Sequence, residues 1–192
     1  MADTNKVKFG LKNVYYAVAT ISGSTVTYGT PKAIPGAVSL SLDANGDESN
    51  FYADDSKYYV THQNSGYSGD LEVARVTDDF YKDIFGFCVD SNGNLFEDAA
   101  EEPKPFALLF EFMGDAKKTR YAFYNCTASR PTVNSNTTTE TKEPVTETIP
   151  ITANPLPLDS NGMQIVKGKC VEGDASYSNW FTSVVTFTAP TV

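Results

Sequence analysis

The stretch Lys104-Pro-Phe-Ala-Leu-Leu-Phe-Glu-Phe-Met113 decides the fold. Phe106, Leu108, Phe110 and Phe112 fall on one face of an extended chain, and Ala107, Leu109 and Met113 fall on the other. A strand that is apolar on both faces belongs in the middle of a sheet, covered on both sides. Its apolar run, Phe106 to Phe110, is far shorter than the ~20 residues of a membrane-crossing helix. Gly114-Asp115 turns the chain, and Arg120 to Thr127 returns as a second strand, with Tyr121 and Phe123 set against Ala122 and Tyr124.

Outward from this pair, strand patterns recur on both sides. Asn13 to Ile21 is rich in Val, Tyr and Ile. Gly36 to Leu42 alternates Val38, Leu40 and Leu42 with Ala37, Ser39 and Ser41, the period of a half-buried strand. Asp70 to Val76 alternates again, Thr146 to Ala153 resumes strand character, and Met163 to Val171 adds another strand. Pro150 suggests an edge position, because proline has no backbone donor. Trp180-Phe181 and Val184-Val185 close the apolar pattern.

One helix is expected, over about 77 to 86. Thr77 is a suitable N-cap, Asp78 and Asp79 favour the positive end of the helix dipole, and Gly86 is a natural stop. Phe80 with Ile84, and Tyr81 with Phe85, make one face apolar. The fold class is therefore mainly β: an antiparallel sandwich or barrel-like sheet with one short flanking helix and extended arms.

Two segments do not fit a lone compact unit. Residues 43–69 are polar but carry Phe51, Tyr52, Tyr58, Tyr59 and Tyr67, more aromatic surface than a solvated loop requires. Residues 129–148 are Thr-rich, with Val133 and Val145 as their only aliphatic side chains and Pro131 and Pro144 barring a helix interior. That segment reads as an extended arm or two-stranded projection.

Composition narrows the function. Lys and Arg total 15 against 24 Asp and Glu, a formal charge of −9 that repels nucleic acid and anionic membrane. The opening residues hold no apolar run, so no secretory signal is expected. Cys88, Cys126 and Cys170 are odd in number and widely spaced, and read as free thiols in a reducing compartment. His62 is the single histidine and lacks a nucleophile motif, so it reads as a surface or structural residue. Carboxylate pairs such as Asp54-Asp55, Asp78-Asp79 and Glu101-Glu102 arise by chance in so acidic a chain. The tetrads Asp43–Gly46, Asp90–Gly93 and Asp159–Gly162 place glycine fourth, where a calcium loop wants it sixth, so they read as turns. No catalytic residue, metal ligand or cofactor site is assigned, and the chain is not read as an enzyme.

The ordered blocks carry a resemblance. They are Lys8–Ala17, Tyr28–Asp43, Phe51–Asp54, Gly66–Glu72, Asp78–Phe80, Glu102–Phe112, Tyr124–Pro131, Thr146–Ala153 and Asn179–Phe181. Together, in order and over nearly the whole chain, they resemble the phi13-type major tail proteins of siphophages of Gram-positive bacteria. The resemblance implies a structural virion protein: one tail-tube domain over 1–192, without an added immunoglobulin-like domain, self-assembling into stacked, hexameric rings. The rings form the hollow tail tube that conducts the phage genome. It implies partners: other copies of the chain, a tape measure protein, a tail terminator and distal tail or initiator proteins. Double-stranded DNA would pass through the lumen without specific binding, and assembly would occur in the bacterial host cytoplasm. Six copies at −9 each give a ring charge of −54.

On this reading the assembly interface is expected at Phe51, Tyr52, Tyr58, Tyr59, Tyr67, Pro131, Val133, Val145, Trp180 and Phe181. The alternative is a carbohydrate-binding β-sandwich module on a phage or cell surface, with Tyr58, Tyr59 and Trp180 as a sugar-stacking platform.

Overall fold

The computed structural model describes residues 7–46, 48–135, 137, 144–159 and 161–189. Strands account for 45% of the described residues and helix for 6%, so the mainly-β expectation holds. In chain order the elements are β1 (Leu11–Ser22), β2 (Thr25–Tyr28), β3 (Lys32–Ala33), β4 (Ala37–Asn45), β5 (Glu48–Ala53), β6 (Ser56–His62), β7 (Gly66–Val73), α1 (Asp78–Phe85), β8 (Cys88–Val89), β9 (Leu95–Phe96), β10 (Phe106–Phe112), β11 (Arg120–Ala128), β12 (Glu147–Ala153) and β13 (Lys167–Cys170).

The main sheet runs in the order β2-β1-β10-β11-β12-β7-β4, with β3 added beside β1 and β13 beside β11. All its pairings are antiparallel. The expected central strand is central: β10 lies between β1 and β11, and Phe106 through Phe110 are all buried. Just after β3, Ile34 N donates to Val14 O at 2.8 Å, which extends the β3–β1 pairing toward the start of β4.

Each face of the central strands is covered by different material. Phe106, Leu108 and Phe110 join Tyr16, Leu71, Ile149 and the helix residues Phe80, Ile84 and Phe85 in the larger core. Tyr16, Phe85 and Phe106 each meet Phe80 edge-on, with ring centroids 4.9, 5.6 and 5.7 Å from it. Ala107 and Leu109 face a second core closed by Tyr124, Cys170 and Trp180, with Phe181, Val184 and Val185 packed around them. Residues 171–189 thus cover a sheet face without adding a strand to it.

The helix forms where expected. Thr77 Oγ1 accepts from Phe80 N, and Gly86 closes the helix in the left-handed region at φ 69°. Tyr16 donates its hydroxyl to Asp83 Oδ2 at 2.8 Å, and Lys32 reaches the same oxygen at 2.6 Å, which fastens the helix to β1 and β3. On the other side, Val76 N donates to Glu147 Oε2 at 2.7 Å, tying the helix entry to β12.

Several expectations are corrected. Pro150 does not mark an edge: β12 is paired with both β11 and β7. The proline is accommodated because its backbone nitrogen faces the point where β11 ends; its carbonyl accepts from Ser129 N at 2.9 Å just beyond the last paired residue. Asp43-Ala44-Asn45 is not a turn but the end of β4. The other two tetrads do turn, with Asp90 Oδ1 accepting from Asn92 N and Asn94 N, and Asp159 Oδ1 from Asn161 N and Met163 N. The strand expected over Met163–Val171 is shorter, Lys167–Cys170. In the Thr-rich arm, residues 129–135, 137 and 144–146 form no strand; Asn136 and Thr138–Glu143 lie outside the described residues.

Candidate assembly surfaces

The first surface is the hairpin β5–β6, within the segment that the sequence marks as a long hairpin or excursion. Among the described residues its two strands pair with each other and with no other strand. Residues Ala53 and Ser56 close it through Asp54 and Asp55, both in the left-handed region at φ 49° and 56°. Aspartate tolerates that conformation, and the two-residue turn matches the twist of a hairpin. Phe51 pairs with Tyr59 across the ladder, so the two rings share a face. Tyr52 and Val60 fall on the opposite face by strand alternation. All are exposed; Tyr58 is 73% exposed and Phe51 60%. A two-stranded hairpin is marginal alone, and one with aromatic residues on both faces needs cover on both sides. His62 ends β6, exposed and opposite Glu48.

The second surface is a groove of about 320 Å³ between β4, β7 and the strands β10 and β11. Its floor includes Leu40, Leu42, Phe110 and Phe123, and its rim carries Lys8 and Lys167. The Lys8 ammonium lies 4.8 Å from the Phe112 ring centroid, and Lys167 lies 4.5 Å from that of Tyr67. Neither lysine pairs with a carboxylate among the described residues.

The third surface is the outer face of β4, β7 and β12. Cross-strand neighbours run Ser39–Glu72–Thr148, Ser41–Asp70–Pro150 and Asp43–Ser68–Thr152. The face is built of hydroxyls, three carboxylates and Pro150, and these nine positions carry no lysine or arginine. Hydrogen bonds from Thr146 and then Ser39 hold the Glu72 carboxyl below its usual range. The far edge of β4 is open, since that strand ends the sheet.

The ten residues expected at an interface divide. Phe51, Tyr52, Tyr58 and Tyr59 are exposed together on the hairpin. Val133 is 99% exposed, on the arm. Pro131, Val145, Tyr67 and Phe181 are half-buried. Tyr67 packs edge-on against Phe123 at 5.1 Å, and Phe181 stacks on Tyr15 at 5.1 Å.

Trp180 is a correction: it is 4% exposed, a member of the chain's own second core, and its indole donates to Tyr121 O at 3.3 Å. The sheet face formed by Ala107, Leu109 and Ala122 is lined with small side chains, and a large ring is needed to fill it. Burial also removes Trp180 from any sugar-stacking platform with Tyr58 and Tyr59.

Sequence reasoning missed the groove. Lys8 and Lys167 are far apart in the chain, and no local pattern pairs them. The outer polar face had one visible sign, the alternation of Ser39, Ser41 and Asp43 with Leu40 and Leu42.

The titrating groups inside are set away from reactivity. Burial pushes the Cys126 thiol up, and Cys170 to about 11. Burial raises Tyr124 to about 12. Among the described residues there is no cluster of three or more His, Cys, Asp or Glu side chains arranged for a metal ion. No described helix is long and apolar enough to cross a membrane.

No protein-family model matches this chain. No curated protein matches it either. Among solved structures it is similar to the anti-feeding prophage cap, described as a tube terminating cap, at 11% identity with a TM-score of 0.48, covering 89% of this chain and 97% of that one. A likeness at that level fixes neither family nor function. The resemblance to major tail proteins rests on the sequence blocks.

Proposed function

We propose that this chain is the repeating subunit of a phage tail tube. It polymerises as stacked rings, six copies to a ring, around a channel that passes DNA. The observation that carries the reading is the hairpin: four exposed aromatic side chains on both faces of a ladder that its own sheet does not support. A surface of that kind is completed by other molecules. The open edge of β4 and the exposed arm around Val133 fit the same need, and the ordered sequence blocks name the class of assembly.

The outer face of β4, β7 and β12 is the surface suited to the channel. Asp43, Asp70 and Glu72 project from it among hydroxyls, and it offers a phosphate backbone no cation to hold. Such a wall has no cation to replace the counterions condensed on DNA, so DNA sliding past it is not held.

Negative-stain images of the purified chain at high concentration test this reading. Rings with a countable number of subunits, or hollow tubes, are expected. A strict monomer at every concentration, with and without a tail initiator complex, overturns it.

A further inference from the structure

We infer that the β5–β6 hairpin of one copy docks into the Lys8–Lys167 groove of a second copy, with Asp54 and Asp55 meeting the two ammonium groups. The inference rests on the self-assembly reading above and specifies which surfaces meet.

Each partner surface lacks what the other supplies. At the hairpin tip two adjacent carboxylates project, and neither forms an ion pair among the described residues. Behind them stand the exposed rings of Phe51, Tyr52, Tyr58 and Tyr59. The groove presents the inverse: an apolar floor and two lysines without carboxylate partners, each held over a ring. The hairpin of the same copy lines none of the groove.

The hairpin offers apolar side chains to a neighbour on either face. Phe51 and Tyr59 occupy one face of the ladder, and Tyr52 and Val60 the other. A groove of about 320 Å³ is too small for the whole hairpin, so part of one face seats there, with the tip carboxylates at the lysines. Strands of six and seven residues give a reach of roughly 20 Å, enough to bridge to a neighbour. The contact joins two different surfaces, so it is heterologous and propagates: every copy offers one hairpin and one groove.

Charge reversal tests it. One variant carries Asp54→Lys with Asp55→Lys, and the other carries Lys8→Asp with Lys167→Asp. All four side chains are exposed, so folding should be retained, and the fluorescence of the buried Trp180 checks it. Sedimentation and negative-stain images should show each variant alone failing to assemble where the unaltered chain assembles. An equimolar mixture should regain assembly, because each hairpin then meets a groove of opposite sign. A photo-crosslinker placed at Tyr58 should attach to peptides containing residues 8, 40–42 or 167 of another copy.

If the unaltered chain assembles and both variants assemble equally well alone, the docking is wrong and the tube reading stands. Loss of assembly in both variants without rescue in the mixture, or cross-links only to other regions, also overturns the docking. If the unaltered chain never assembles, both readings fall.

Discussion

The Arg120 guanidinium lies 3.7 Å from the centroid of the Tyr177 ring and donates to the carbonyl of the same residue. Its other side pairs with Glu111, Nε to Oε2 at 3.1 Å, and Phe181 lies 4.7 Å away. One cation therefore clamps the covering segment onto β11. Arg120→Ala should cost about 1.5–3 kcal/mol, the range for hydrogen bonds to charged groups. Chemical unfolding followed by Trp180 fluorescence should show the lowered midpoint, with the indole exposed first. An unchanged midpoint would mean that the cover is held by packing alone.

Trp180 and Tyr58 should respond oppositely to truncation. Trp180→Ala removes the ring that fills the second core and should destabilise by about 3–5 kcal/mol. Tyr58→Ala removes a side chain that is 73% exposed and should change monomer stability by no more than about 0.5 kcal/mol. The same Tyr58→Ala change should weaken assembly, measured as the protein concentration at which rings appear. Equal stability losses for the two would contradict the division between core and contact surface.

Stability should fall on the alkaline side. Burial raises Tyr28, Tyr124 and the thiols of Cys126 and Cys170, so their folded forms hold protons more tightly than the unfolded chain does. Groups raised in the folded state give stability that is full below the unfolded value and is lost as pH climbs through the folded one. The urea midpoint should therefore decline above about pH 9, where unfolded thiols and then phenols ionise. Glu72, Asp90 and Asp159 are lowered, chiefly by hydrogen bonds, so their contribution is present at neutral pH and fades on acidification through the folded values. Tyr28→Phe should flatten the alkaline decline. A midpoint constant to strongly alkaline pH would refute the burial argument.

Much of this architecture was legible in the residues, because its signals are local. Phe106–Phe110 announces a strand covered on both faces, and Thr77 to Gly86 carries a complete helix with cap and stop. The failures share a cause: they depend on what lies across the sheet. Pro150 looks like an edge residue until one knows that β11 ends beside its nitrogen. Trp180 looks like contact surface until Ala107 and Ala122 leave room for its ring. The hairpin's aromatic pairs were visible as an excess, but their exposure on two faces required the Phe51–Tyr59 register. The groove joins Lys8 to Lys167, and no periodicity reaches across that separation.

Reversing the outer face should convert a passive wall into a binding one. Tubes carrying Asp43→Lys, Asp70→Lys and Glu72→Lys should retain double-stranded DNA in a filter assay at low salt and release it as salt rises. Tubes of the unaltered chain should retain none. Equal retention would show that this face does not line the channel.

Deleting Ser135–Lys142 should leave a folded monomer, since the segment has no aliphatic side chain to give to a core. It should abolish tube growth. Normal tubes from the shortened chain would remove the arm from the assembly scheme.

The second core has a consequence for biosynthesis. Its sheet floor takes Ala122 and Tyr124 from β11 and Cys170 from β13, and Trp180 and Val185 cover it. A nascent chain on the ribosome would hold Ala107, Leu109 and Ala122 uncovered until residues 170–185 emerge from the exit tunnel, and chaperones that bind bare apolar surface would have that interval in which to act.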